Sequence, residues 1–306
     1  MKIDFLIPGS PNDAFFSQIA FFRLALDALG EVYRRARVVA ALGDETIVPI
    51  PSRWSRYFER IEVEWVDPAE FRRRGYLAQV DRRCDLFRPD ADMVIFCDAD
   101  TALIRALPGL AASLVDEPAL LGVIAHYHFP WADSTGEPER DWERLAASLL
   151  GREIALEHRY SLQEPALANR CPFYVNYGFL AGPPALFARF SEAYRAMVPR
   201  VHRVLGNHFS SQVTIPLAIA ELGLPARALP MRYNFPNDPQ ADALYPYELG
   251  RIVVLHYLRT SQFDRQHVFA EKDAFERFLG LDLAGSNREF QTFVRNLTAE
   301  HYPFAG

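Results

Sequence analysis

The chain has 306 residues, half of them hydrophobic, and a net charge of −6; it is long enough for one extended α/β domain or two smaller ones, and too acidic for a nucleic-acid-binding surface. Its three cysteines, Cys84, Cys97 and Cys171, are odd in number and widely spaced, which speaks against a disulfide framework or a CxxC metal site and fits a reducing, cytoplasmic setting. The N-terminus breaks at Pro8 without a signal-peptide core, and no window reaches the ~18 apolar residues of a membrane span.

In chain order, KIDFLI (residues 2–7) is a β-rich run stopped by PGSPND. The next segment carries Phe15, Ile19, Phe22, Leu26 and Leu29 at helical spacing, with Gly30 as its stop. ARVVAAL reads as a second strand, and RIEVEWVD, alternating apolar and polar, as a third. LAQVDRRCDLF reads as a helix ended by RPDAD, followed by strand-like runs in MVIFCDAD, ALLGVIAHYHF and FYVNYGFLAG. SSQVTIPLAIAELG reads as a helix with Pro216 in or near its first turn. RIVVLHYLR is the last convincing strand. Residues 131–170 are more polar and read as an insertion, helical around ERLAASLLG. The alternation of strands and helices predicts an α/β fold with a mostly parallel central sheet covered on both faces. Ligands of such sheets bind beyond the carboxyl ends of the strands, where PGSPND and the acidic turn after MVIFC both fall.

That turn, Asp98–Ala99–Asp100, ends an apolar strand in two like charges. Side chains two apart on an extended segment point the same way, so the carboxylates can converge on one cation. They are hard ligands suited to Mg²⁺ or Mn²⁺, which leave positions open for phosphate oxygens. Taken alone, a solvated acidic turn is the plainer reading of this pattern; its place at a strand end and three later segments favour the metal. YVNYGFLAG places Asn176 and Gly178 before a small-residue turn, HFSSQVTIPLAI places Gln212 at a helix start, and VVLHYLR places His256 at a strand end with Arg259 close behind.

This ordered set, over roughly residues 1–260, resembles the GT-A nucleotide-sugar glycosyltransferases, and among them the retaining family of glycogenin and the bacterial lipopolysaccharide galactosyltransferases. The resemblance implies a GT-A (Rossmann-like) domain over residues 1–263, with the 131–170 insertion on the acceptor side and a helical C-terminal tail over 264–306. It implies Mn²⁺ (or Mg²⁺) held by Asp98, Asp100 and His256, with Asn176 and Gln212 on the donor sugar and Asp100, Asn176 and Gln212 as the catalytic set. Pro8, Gly9, Ser10, Arg82, Asp98, Ala99 and Arg259 would contact the nucleotide part of a UDP-sugar. The acceptor, whether sugar, lipid, small molecule or protein, is open. Two departures stand out: the family's DQ is Ser211-Gln212 here, and its HFxGxxKPW ending is HYLRTSQF, so that Arg259 takes the place of the missing phosphate-clamping lysine.

Other readings are weaker. His126, His128 and Trp131 form an aromatic corner or, less simply, a second metal cluster. Either Arg82 or Arg83 reaches the donor, and Tyr233 and Asn234 are candidates for the acceptor side. A sugar nucleotidyltransferase would need a glycine-rich opening loop that PGSPND does not match, and a degenerate GT-A binding module would not need the acidic pair and the late histidine. No GxSxG, HExxH or P-loop is present. An inverting enzyme would need a carboxylate base, for which Asp133 and Glu164 are the first places to look.

Overall fold

The structure is a computed structural model that describes residues 1–107, 109–164 and 166–304. The first third is a run of strand–helix units: β1 (Ile3–Gly9), α1 (Asp13–Ala28), α2 (Glu31–Arg34), β2 (Arg37–Leu42), α3 (Ser52–Phe58), β3 (Glu62–Trp65), α4 (Pro68–Arg74), α5 (Leu77–Arg83) and β4 (Met93–Phe96). There follow β5 (Thr101–Leu103), α6 (Leu110–Asp116), β6 (Leu120–Ile124), α7 (Pro138–Leu150), β7 (His158–Arg159), β8 (Arg170–Cys171) and β9 (Val175–Gly182). The last third holds α8 (Pro184–Leu205), α9 (Ser210–Leu222), β10 (Ala226–Ala228), β11 (Phe235–Pro236), α10 (Pro239–Leu244), β12 (Val254–His256), α11 (Lys272–Gly280) and α12 (Gly285–Thr298).

The central sheet has the order β10-β6-β9-β4-β1-β2-β3. Its strands are parallel except β9, which pairs antiparallel with both β4 and β6. Period-two alternation makes a core on each side. Ile3, Phe5 and Ile7 of β1 and Met93 and Ile95 of β4 face one way; Leu6, Val94 and Phe96 face the other. These strands therefore read as continuous apolar runs, as strands buried on both faces must. The first core takes α1 and the C-terminal helices. Phe21 of α1 stacks on Phe269 at 4.1 Å between ring centres, and Tyr257 stacks on Phe290 of α12 at 4.6 Å. The second core takes α5, α8, α9 and Trp142 of α7.

Two elements differ from the sequence expectation. β12 does not join the central sheet. It lies in a small sheet of order β11-β12-β5, antiparallel to β5, because the chain turns out of the central sheet at Asp98–Asp100 and offers β5 as a new edge. Pro216 sits inside α9 rather than in its first turn. It has no N–H to donate to the carbonyl four residues back, so the main-chain carbonyl of Gln212 is left without its helical partner.

Candidate active site

The acidic turn is built by the change of sheet. β4 is buried throughout, the Thr101 hydroxyl donates to the Asp98 carbonyl at 2.7 Å, and β5 begins at once. β5 pairs with β12 in a register that sets His256 opposite Thr101. The Tyr257 amide donates to the Asp100 carbonyl at 3.0 Å. The late histidine thus reaches the early carboxylates through a main-chain ladder: His256 Nε2 is 3.1 Å from Asp100 Oδ1 and 3.8 Å from Asp98 Oδ2. One donor atom from each of the three lies within 4.8 Å of the others.

Electrostatics separate the two carboxylates. Burial pulls Asp100 up, but the His256 imidazole and the Arg265 guanidinium outweigh it and hold Asp100 down at about 2. Burial dominates at Asp98 and raises it. Two oxygen donors and one imidazole nitrogen at this spacing could hold a small divalent cation.

The cluster opens on a cleft of about 410 Å³. One wall includes Pro8 and Ser10 from the end of β1, and Asp98, Ala99 and Asp100 line the cleft as well. Gly9 lies behind the wall; a Cβ there would come within 3.0 Å of Phe15 and 3.1 Å of Leu42, so the close packing of β1 on α1 calls for glycine. Asn176 of β9 and Gln212 of α9 also line the cleft. Asn176 Oδ1 accepts from the Gly178 amide at 2.9 Å and from Asn234 Nδ2 at 3.0 Å. With its oxygen so engaged, Asn176 has its amino group left for a ligand oxygen. The Tyr76 hydroxyl donates to the His208 carbonyl, and both residues line the cleft.

Among the expected nucleotide contacts, two arginines lie elsewhere. Arg82 is partly exposed and pairs with Glu64 at 3.0 Å. Its neighbour Arg83 lines the cleft: fully buried, 4.2 Å above the ring of Tyr177 and 4.7 Å above that of Phe96, with no hydrogen-bond acceptor for its guanidinium nitrogens. Arg259 turns away to Asp238, Nε to Oδ2 at 2.7 Å. The basic group on the acidic turn is Arg265, which donates to Asp100 Oδ2 and whose carbonyl accepts from Gln18 at 3.0 Å. The helical period could have separated Arg83 from Arg82, since Val80 and Cys84 mark the inward face of α5; no local pattern marks Arg265.

The aromatic corner is packing. His128 contacts the Tyr160 hydroxyl at 2.8 Å and Asp141 at 3.1 Å, and Arg144 lies 5.0 Å above the Trp131 ring. His126 is buried and held neutral, pushed down to about 3 by burial and then by the nearby His256 and Arg259. Tyr233 lies in the first core, and Asn234 supports Asn176 instead of facing the cleft. Asp133 and Glu164 are exposed and outside the cleft.

No family model matches the sequence, and no curated protein matches it. Solved structures match its fold. The galactosyltransferase LgtC, in complex with donor and acceptor sugar analogs, superposes with a TM-score of 0.50 at 15% identity, over 94% of this chain and 99% of LgtC. An active-site variant of LgtC gives 0.51 over the same shares. The apo glycosyltransferase GlyE of Streptococcus pneumoniae TIGR4 gives 0.50 at 13% identity, over 97% of this chain and 61% of GlyE. The fold is GT-A, as the order of motifs predicted.

Proposed function

We propose that the chain is a metal-dependent glycosyltransferase that moves a sugar from a nucleoside-diphosphate sugar, UDP-linked, to an acceptor with retention of configuration. The observation that carries the reading is the meeting of Asp98, Asp100 and His256, from the two ends of the GT-A fold, at the floor of a cleft faced by Asn176 and Gln212. LgtC, whose fold the chain shares, is by its description a galactosyltransferase seen with donor and acceptor sugar analogs.

Charge supports it. The charged side chains lining the cleft are Asp98, Asp100, Arg83 and Arg265, two of each sign. A divalent cation and the doubly negative diphosphate of a sugar nucleotide enter together without a net charge, so neither need be buried unpaired. When bound, the ion supplies Lewis-acid stabilisation to the departing diphosphate. Asp98, Asp100 and the lone pair of His256 Nε2 would hold it. Arg265, beside Asp100, would give its guanidinium to the phosphate, a role that the family resemblance implied for Arg259. Pro8 and Ser10 wall the nucleotide, and Arg83 and the Asn176 amino group supply donors to sugar or phosphate oxygens. Gln212, which lines the cleft, offers an amide side chain to the sugar but no base. Apart from Asp98 and Asp100, no carboxylate lines the cleft among the described residues, which favours retention over inversion.

The test is UDP release from a panel of UDP-sugars with Mn²⁺ and with EDTA, followed by NMR of the first product made with any acceptor that accelerates it. Metal-dependent release and an unchanged anomeric configuration are expected. No release from any sugar nucleotide would overturn the transferase reading, and an inverted product would overturn retention.

A further inference from the structure

The stretch that leads into α9 also lines the cleft, through His208, Phe209 and Ser211. It meets Tyr76 at the start of α5, where the helical period sets Gln79 and Val80 on the same face. None of these six side chains is an acid, a lysine or an arginine. The cation end of the cleft is different, for there Asp98, Asp100 and Arg265 gather.

Side chains hold the main chain of this stretch. Asn207 Oδ1 accepts from the Phe209 amide at 3.0 Å, and Asn207 Nδ2 donates to the Pro130 carbonyl at 2.8 Å. The His208 carbonyl accepts from two hydroxyls, that of Ser211 at 3.1 Å and that of Tyr76. With its main chain fixed on both sides, His208 sets an exposed imidazole at the edge of the cleft, its ring centre 4.2 Å from that of Phe209. The ring nitrogens of His208 have no hydrogen-bond partner among the described residues. A neutral imidazole has one donor and one acceptor to offer, and the rings of Phe209 and Tyr76 offer apolar faces. A pyranose uses both, through its hydroxyls and its C–H face. A long acyl chain would use the rings but not the nitrogens, and an acidic acceptor would find no cation among the six.

We propose that His208, Phe209 and Tyr76 form an acceptor subsite and that the acceptor is an uncharged saccharide, its ring packed on Phe209 and Tyr76 and a hydroxyl bonded to the His208 imidazole. The Tyr76 hydroxyl has a second duty, to position His208. Gln212, the amide assigned to the donor sugar, follows His208 by four residues on the same wall, so the acceptor hydroxyl lies on the sugar side of the donor. The Asn207 bond to Pro130 ties the subsite to the edge of the 131–170 insertion. The proposal rests on the transferase reading for the donor that this acceptor meets; saccharide binding itself does not depend on it.

The experiment is saturation-transfer NMR on the unaltered protein, with and without UDP and Mg²⁺. The probes are the methyl glycosides of glucose, galactose and mannose, lactose, maltose and cellobiose. Methyl glucuronide, farnesyl phosphate and a serine-containing peptide are the contrasts. Transfer to the ring C–H protons of a neutral saccharide is expected, and it should be lost in His208→Ala and in Phe209→Leu. With a UDP-sugar that the protein cleaves, the KM of that saccharide should rise about 2–10-fold in each variant, while the Kd of the UDP-sugar stays within about 2-fold. Tyr76→Phe, which keeps the ring and loses only the hold on His208, should raise the KM less. Binding of a contrast probe in place of every neutral saccharide overturns the proposal. So does a loss of UDP-sugar affinity equal to the loss of saccharide affinity, which would put these rings on the donor. Cleavage of a UDP-sugar with no saccharide bound sinks the subsite and leaves the transferase reading standing. Saccharide binding that both variants lose, in a protein that binds no UDP-sugar, does the reverse. If Phe209→Leu does not fold, the exposed His208→Ala decides.

Discussion

Asp98 and Asp100 look alike in the sequence and differ in their surroundings. Asp100 is held ionised by His256 and Arg265, whereas Asp98 is raised by burial. In Asp98→Asn and Asp100→Asn the thermal stabilisation by UDP plus Mn²⁺ should vanish in both while the fold persists, as differential scanning fluorimetry would show. An unchanged shift in both would remove the pair from cation binding. The raised carboxylate also sets a pH dependence. A folded-state value above the unfolded one means that the folded protein holds the Asp98 proton more tightly, an advantage present at low pH and lost as pH rises through the raised value. The cation needs the ionised form. Stabilisation by Mn²⁺ should therefore be full near neutrality and shrink on acidification, beginning above the ordinary carboxylate range of ~3.9. A melting-temperature series from neutral to acid pH, with and without Mn²⁺, measures it.

Strands and helices carry these residues, and some of their work was plain in the pattern. The apolar run before Asp98 had to be a buried strand. Gln212 at the start of α9 and His256 at the end of β12 were also visible by position. What the pattern could not show was pairing. That β12 lies against β5 depends on hydrogen bonds between segments about 150 residues apart, to which local periodicity is blind. The same blindness hid Arg265 and Asn234, whose roles arise from chain neighbours distant in sequence. Helical period does resolve the arginine pair on α5, and it yields a contrast. Arg83→Met should weaken UDP-sugar binding about 10–100-fold by removing charge-assisted bonds, yet hold or raise the melting temperature because a desolvated cation is lost. Arg82→Ala, which loses a surface ion pair worth at most about 1 kcal/mol, should leave binding within about 2–5-fold. Titration of both variants with a UDP-sugar, beside their melting curves, tests this; equal effects would put the two side chains in the wrong places.

At the scale of the molecule, the two-sided core accounts for the cysteines. Cys84 and Cys171 are buried and pushed up to about 12, and Cys97 is raised further still by burial and then by the charge of Asp98. The thiolate, the reactive form, is suppressed at all three. A disulfide-exchange reagent should find no fast-reacting thiol in the native protein and three after denaturation. Fast labelling of Cys97 would mean that the acidic turn opens in solution. The described residues include no helix long and apolar enough to cross a membrane.

The reversed strand β9 has a consequence for how the chain is made. β4 pairs with β1 on one edge as soon as both exist, but its other edge is filled by Leu180, Ala181 and Gly182. At ~5–20 residues per second the ribosome leaves that apolar edge bare for roughly 4–17 seconds. An open edge of this kind is a template for pairing with other chains. Nascent chains stalled before Val175 should accordingly be held by chaperones or aggregate. Chains stalled once Gly182 has cleared the exit tunnel should resist protease across residues 93–96, although His256 has yet to be synthesised.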